Sequence, residues 1–151
     1  MGIFCIPENC DIPIHDHPDM TVCSKVLYGK VHVEAYDEAP DLRGALGEGE
    51  LGALVDQGRV LVCRKVRDDV VDATMAPSAL FSKSLNIHRF SAVSSCAILD
   101  VLGPPYSSSE GREIAYYRER ALEEGIVVLE KVAPPSDFSV EGRKYMGEAV
   151  A

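Results

Sequence analysis

Short segments in which apolar and polar residues alternate, separated by glycine and proline turns, constrain this fold most strongly. Residues 31–36 read Val-His-Val-Glu-Ala-Tyr, the period-two pattern of a half-buried strand. Residues 59–66 are rich in β-branched and apolar side chains, and residues 96–102 are apolar on both faces, as in a fully buried strand. Turns are indicated at residues 44–52 and 103–105. The pattern predicts an all-β sandwich or barrel.

The C-terminal third contains the one segment with a helical pattern. Residues 115–124 predict a helix that ends at Gly125, although the two tyrosines near its start could equally begin a strand. Pro134-Pro135 closes the regular part of the sequence. The domain is therefore expected to span residues 1–133, and residues 134–151 to form a C-terminal extension.

Composition excludes several classes of function. Twenty-four acidic against 15 basic residues give a formal charge of −9, which disfavours nucleic-acid binding. No run approaches the roughly 18 apolar residues of a membrane helix, so no membrane partner is expected. The first residues lack the basic segment of a secretory signal, which predicts a cytoplasmic protein that also reaches the nucleus by diffusion.

Five cysteines, an odd number without CxxC spacing, predict free thiols in a reducing compartment. Cys5, Cys10 and Cys63 are expected to be buried or half-buried small apolar residues. Cys23 follows the first histidines closely enough to be considered as a ligand, but packing is the preferred interpretation because no second thiolate lies at useful spacing.

Two further motifs favour ordinary interpretations. Residues 47–52 fit the string GxGxxG, but they follow no clear strand, and their two glutamates would repel a pyrophosphate. A mobile acidic loop is expected there. His32 lies on the polar side of its alternating segment, so a solvated surface histidine is expected.

His15-Asp16-His17 is the pattern that carries chemistry. In an extended strand, residues i and i+2 project from one face, so both imidazoles can reach one ion, whereas Asp16 points away. A pair of surface histidines is the alternative. His88 lies at the start of an apolar strand, Ile87 to Val93, and strengthens the metal hypothesis. Three neutral imidazoles leave coordination positions free on a six-coordinate metal.

Asp100 interrupts a strand that is otherwise apolar on both faces. An unpaired buried carboxylate is costly, so it needs a partner. The second N–H of a ligand histidine is one candidate. A structural hydrogen bond to the backbone is equally compatible with the pattern.

Three segments resemble the plant cysteine oxidases and cysteamine (2-aminoethanethiol) dioxygenases of the cupin superfamily. They are the segment from His15 to Gly29, Asn86-Ile-His-Arg-Phe90, and residues 97–107, Ala-Ile-Leu-Asp-Val-Leu-Gly-Pro-Pro-Tyr-Ser. The resemblance covers most of the chain, from residue 1 to about residue 117. It implies a cupin double-stranded β-helix, a jelly-roll barrel. Members of the family carry further sequence, including strands, ahead of the position of Met1, so a truncated or a shortened chain is expected.

The resemblance also implies a site and a reaction. Fe(II) would be held by His15, His17 and His88, with Asp100 aligning a ligand or the substrate and Tyr106 lying near the pocket. The family adds both atoms of O₂ to a thiol and forms a sulfinic acid. In the plant enzymes the thiol is the N-terminal cysteine of a protein, whose lifetime in the N-degron pathway then depends on oxygen, a hypoxia response.

Other features bear on substrate preference and activity. Ile114 stands where relatives often carry a cysteine that cross-links to a tyrosine, so that cross-link is excluded. Phe81-Ser-Lys-Ser-Leu-Asn-Ile87 replaces a glycine-rich approach to the third histidine, which predicts a different pocket shape. The expected function is a monomeric N-terminal cysteine dioxygenase, and the alternatives are a cysteamine dioxygenase or a catalytically silent cupin that binds a metal or a peptide.

Overall fold

The computed structural model describes residues 1–46, 50–123 and 126–148. Within them, the regular structure consists mainly of strands, and two of the connections between strands contain helical turns. The strands are β1 Gly2–Ile6, β2 Asp11–His15, β3 Thr21–Tyr28, β4 Lys30–Glu38, β5 Val60–Asp72, β6 Ser78–Leu80, β7 Ile87–Ala92, β8 Cys96–Gly103, β9 Tyr116–Glu123 and β10 Ile126–Val132. The connection between β4 and β5 contains a 3₁₀ helix, Pro40–Leu46, and helix α1, Glu50–Asp56. The connection between β8 and β9 contains the 3₁₀ turn Ser108–Glu110.

The strands form two antiparallel sheets. One has four strands in the order β1-β8-β3-β6, and the other closes into a barrel in the order β10-β5-β4-β7-β2-β9. The predicted all-β cupin architecture is confirmed. Because side chains alternate between the faces of a strand, β4 can contribute to two different cores.

One core lies between the two sheets, and the other lies on the opposite face of the barrel strands. The first contains Ile6, Val26, Val31, Val33, Phe90, Ala92, Cys96 and Ile98. The second contains Ile14, Tyr36, Cys63, Ile87, Val127 and Leu129. Burial of these side chains is the main stabilising term for both layers.

The helix predicted over residues 115–124 is wrong. Tyr116–Glu123 forms β9, which pairs with β10 along its length and touches β2 where Tyr116 lies opposite His15. Pairing with a strongly β-forming partner overrides a weak helical pattern. The alternative, a strand that begins at the two tyrosines, is confirmed. Gly125, the expected C-cap, lies outside the described residues.

The acidic loop predicted over residues 47–52 is wrong at its end, because α1 begins at Glu50. Residues 47–49 lie outside the described part of the chain. The Nε2–H of His32 donates to the Asp68 carboxylate over 2.7 Å near the surface, as expected of a partly solvated histidine. No helix in residues 1–46, 50–123 and 126–148 is long and apolar enough to span a membrane.

The cysteines are free thiols, as predicted. Of Cys5, Cys10 and Cys63, which were expected to be buried or half-buried, Cys63 alone is buried. Cys5 is exposed because it lies on the outer face of β1, and Cys10 is exposed in the connection before β2. Cys23 is exposed too, so the packing interpretation is wrong, and it does not join the histidines. Burial raises the pKa of the Cys63 thiol to about 12, so this thiol is inert.

Candidate metal centre

His15, His17 and His88 converge in the interior. Their ring centroids lie 4.7 to 4.9 Å apart, and one nitrogen from each ring lies within 4.8 Å of the others. All three side chains are buried. His15 ends β2 and lies directly opposite His88 in β7, while His17 follows β2 in the connection to β3. Strand register therefore supplies two of the imidazoles, and a connecting segment supplies the third.

Hydrogen bonds to carbonyl groups orient the rings. The Nδ1–H of His15 donates to the Pro13 carbonyl over 2.8 Å, and that of His17 donates to the Asn86 carbonyl over 3.2 Å. A neutral imidazole that donates through Nδ1 keeps a lone pair on Nε2, the form in which histidine binds metal. The Leu85 backbone acts on the His88 ring and opposes part of the fall in the pKa of His88. These contacts match the outer-shell pattern that fixes ligand histidines in metal sites.

Electrostatics keep the three rings neutral. Burial, followed by the neighbouring His17, lowers the pKa of His15 to about 4. Burial also lowers the pKa of His17 and, together with the other two imidazoles, places that of His88 well below its ordinary value. Three buried rings side by side would repel one another if protonated. The cluster is a set of ready neutral donors.

Asn86 holds the segment that carries His17. Its side-chain oxygen accepts the His17 backbone N–H over 2.8 Å, and its amide nitrogen donates to the His17 carbonyl over 2.8 Å and to that of Phe81 over 3.4 Å. Asn86 is itself buried. Sequence reasoning quoted this residue only within a motif. The signal for its role was a polar residue at the start of an apolar strand, two positions before a ligand candidate.

Asp16 points away from the metal cluster, as predicted, and has a structural role that was missed. One carboxylate oxygen accepts the Ala115 N–H and the other accepts the Tyr117 hydroxyl, each over 2.8 Å. Its backbone carbonyl accepts the Tyr106 hydroxyl over 2.8 Å. The residue between His15 and His17 is thereby fixed to the segment at the start of β9.

Asp100 is buried in β8 and accepts a 2.6 Å hydrogen bond from the Ser24 hydroxyl. This partner is neither the ligand histidine nor the backbone group that the sequence left open. Burial raises the pKa of the Asp100 carboxyl, and the Ser24 bond opposes part of that rise.

Tyr106 lies beside the cluster. Its ring centroid is 5.7 Å from that of His17, and Tyr116 lies on another side with its centroid 6.4 Å from that of His15. Burial, followed by the negative charge of Asp16, raises the pKa of Tyr106, which therefore stays a phenol at neutral pH. The two tyrosines and the histidines form a partly aromatic enclosure.

The chain belongs to the PCO_ADO family. The family model matches residues 1–150, so the resemblance inferred from the motifs is confirmed. Similar proteins include plant cysteine oxidase 1 of Arabidopsis thaliana, 38% identical over 124 residues that cover 82% of this chain and 39% of that protein. Plant cysteine oxidase 2 of the same plant is 34% identical over 164 aligned residues, covering 98% of this chain and 55% of that protein.

The 2-aminoethanethiol dioxygenase of Homo sapiens is 33% identical over 144 residues, which cover 89% of this chain and 50% of that protein. The chain thus spans about half the length of the curated relatives it matches. Three buried imidazoles, two of which donate their Nδ1–H to backbone carbonyls, form a ligand set that fits a divalent transition metal.

Proposed function

We propose that this chain is a thiol dioxygenase that converts the N-terminal cysteine of a protein or peptide to cysteine sulfinic acid with O₂. The observation that carries the proposal is the buried, neutral three-histidine cluster, whose ring nitrogens lie within 4.8 Å of one another. Membership of a family with members named cysteine oxidase and 2-aminoethanethiol dioxygenase supports the reaction class.

Fe(II) is the proposed metal, with His15, His17 and His88 as its ligands. When bound by these three imidazoles, iron would keep positions open for a thiolate and for O₂, which would bring the two reactants together. Asp16 and Asp100 do not join the three histidines, since Asp16 is bonded to the segment at the start of β9 and Asp100 to Ser24.

The chain's own residues prepare the reaction in three ways. Burial of the cluster excludes bulk water, which strengthens polar interactions with a bound substrate. The Asp100 carboxylate with Ser24 offers an acceptor for the substrate's amine or thiol proton. Tyr106 fixes the segment between the ligands through Asp16 and leaves its ring against His17. Asp100 and Tyr106 are therefore the proposed catalytic residues.

The biological setting is part of the same proposal. Oxidation of an N-terminal cysteine would make the lifetime of a target protein oxygen-dependent through the N-degron pathway, in the cytoplasm and the nucleus. The sulfinic product is hard to reverse, which suits a committed signal. Residues 1–133 are proposed as the catalytic domain, acting as a monomer. The final strand ends at Val132, which is consistent with that boundary.

A direct experiment tests the reaction. Purified protein is loaded anaerobically with Fe(II), its iron content is measured, and a Cys-initiated peptide is added in air. The expected product has gained two oxygen atoms by mass, whereas a Ser-initiated peptide is unchanged. Cysteamine in a parallel reaction separates a small-aminothiol oxidase from a peptide oxidase. Bound iron without oxygen transfer to either thiol would refute the proposal and favour a silent metal-binding cupin.

A further inference from the structure

Arg67 lies in the same transverse row as two of the histidines. His15 pairs with His88, His88 pairs with Ala35, and Ala35 pairs with Arg67 across four neighbouring strands. Side chains in such a row project from one face of the sheet, and adjacent strands are about 5 Å apart. Only the methyl group of Ala35 stands between the arginine and His88, and a methyl group cannot block a long side chain.

Two neighbouring cavities lie beside this row. A small one of about 30 Å³ contacts His88, and a larger one of about 220 Å³ extends between the two sheets. Arg67, Ser24 and Ser78 line both. The larger cavity also touches Met75, which is exposed in the connection from β5 to β6, so this end of the cavity lies next to the surface. A thiol entering by this route passes the guanidinium before it reaches the histidines.

The guanidinium has donors to spare. Its Nε–H and one Nη2–H donate to the Asp69 carboxylate over 2.6 and 3.3 Å, which uses two of its five N–H groups. Its side chain is 23% exposed, so it is fixed and largely desolvated at the cavity wall. Acidic groups lie elsewhere on the route: Asp72 lines the larger cavity, and Asp100 is hydrogen-bonded to Ser24. The route thus offers donors at Arg67 and acceptors at Asp72 and Asp100.

We infer that Arg67 is a specificity-determining residue that binds the acyl oxygen of the substrate. The inference rests on the proposed function and narrows its substrate class to thiols that carry a carbonyl or carboxylate beside the amine. A cysteine residue at a peptide N-terminus has both groups, an amine for the acidic side and a carbonyl for the guanidinium. Cysteamine has only the amine, and a cation gains nothing from a neighbouring arginine.

The test compares substrates in the iron-loaded wild-type protein and in Arg67→Gln. The ratio of kcat/KM for a Cys-initiated peptide amide to that for cysteamine should fall about tenfold in the variant, mostly through KM, as expected for loss of one charge-assisted hydrogen bond. Free cysteine, which carries a carboxylate, should lose at least as much as the peptide. Arg64→Gln is the matched control, because Arg64 lies on the same strand and pairs with Asp41 at the surface.

Binding gives a second readout without turnover. Measured by calorimetry, a Ser-initiated peptide should bind the wild-type protein more tightly than ethanolamine does. Arg67→Lys should lower the affinity for the peptide, because a single ammonium replaces the planar guanidinium and its several N–H donors. The role of Arg67 would be overturned if Arg67→Gln oxidised both thiols with the wild-type ratio of kcat/KM. It would also be overturned if the wild-type protein bound the Ser-initiated peptide and ethanolamine equally tightly. Oxidation of neither thiol by the iron-loaded protein would overturn the proposed reaction instead, while the binding comparison still decides the role of Arg67.

Discussion

Replacement of Asn86 by alanine should separate metal binding from folding. The change removes the two 2.8 Å hydrogen bonds that tie the His17 backbone to the residue before β7. Each of the two buried backbone groups left without a partner costs about 1–3 kcal/mol, so the free energy of unfolding should fall by about 2–6 kcal/mol. Because His17 lies outside β2, its imidazole then has greater freedom, and metal affinity should fall about 10- to 100-fold, as for other outer-shell losses.

Chelator competition under anaerobic conditions measures the affinity for Fe(II), and urea unfolding of the metal-free protein measures stability. Val128→Ala is the control, because Val128 is fully buried in β10 and its truncation costs about 2 kcal/mol without removing any hydrogen bond to a histidine. The control should keep wild-type affinity. The prediction would be refuted if Asn86→Ala bound iron as tightly as the wild-type protein while His17→Ala did not bind it. The Asn86 hydrogen bonds to the His17 backbone would then have no effect on metal binding.

Three further outcomes are expected. His88→Ala should abolish iron retention, whereas Asp100→Asn should keep iron and lose most of the oxidation rate; equal iron loss in both, measured on the purified proteins, would reduce Asp100 to a structural role. Burial alone would raise the pKa of Glu34, but its two basic partners lower it overall, so its stabilisation is present above the unfolded pKa of about 4.3 and lost as pH falls through the lower folded value. Urea midpoints from pH 3 to 6 should therefore decline less in Glu34→Gln, although this variant is about 1–3 kcal/mol less stable at pH 7. Gly29→Ala should lose at least about 2 kcal/mol by urea unfolding, because φ is +74° and the new Cβ would lie 2.2 Å from the Ser95 carbonyl oxygen; a stability equal to that of the wild-type protein would contradict the backbone assignment.

The sequence predicted what depends on local pattern. Alternation identified the strands, and the His-x-His spacing predicted that His15 and His17 lie together, although His17 follows the end of β2. The helix predicted over residues 115–124 failed for the opposite reason. A segment with mixed propensity takes its structure from its neighbour, and β10 was the neighbour that decided it.

Exposure of the cysteines shows a related limit. Composition says that a cysteine packs like a small apolar residue, but Cys5 lies on an edge strand whose outer face is not covered in the described part of the chain. Knowing which face of β1 meets the other sheet requires its pairing with β8. That pairing joins residues 90 to 98 positions apart, and no local pattern contains it.

Register is the information that the sequence withheld and the site requires. A shift of one residue between β4 and β5 would turn Arg67 to the other face and bring a different side chain opposite Ala35. The β4–β5 register changes just after Ala35, where β5 contains one extra residue between the partners of Ala35 and Tyr36, so Arg67 lies at the edge of this irregularity. A centre assembled in this way owes its ligands to short motifs and its substrate-facing wall to strand pairing. Variation among relatives that keep the three histidines should therefore concentrate in the side chains opposite Ala35.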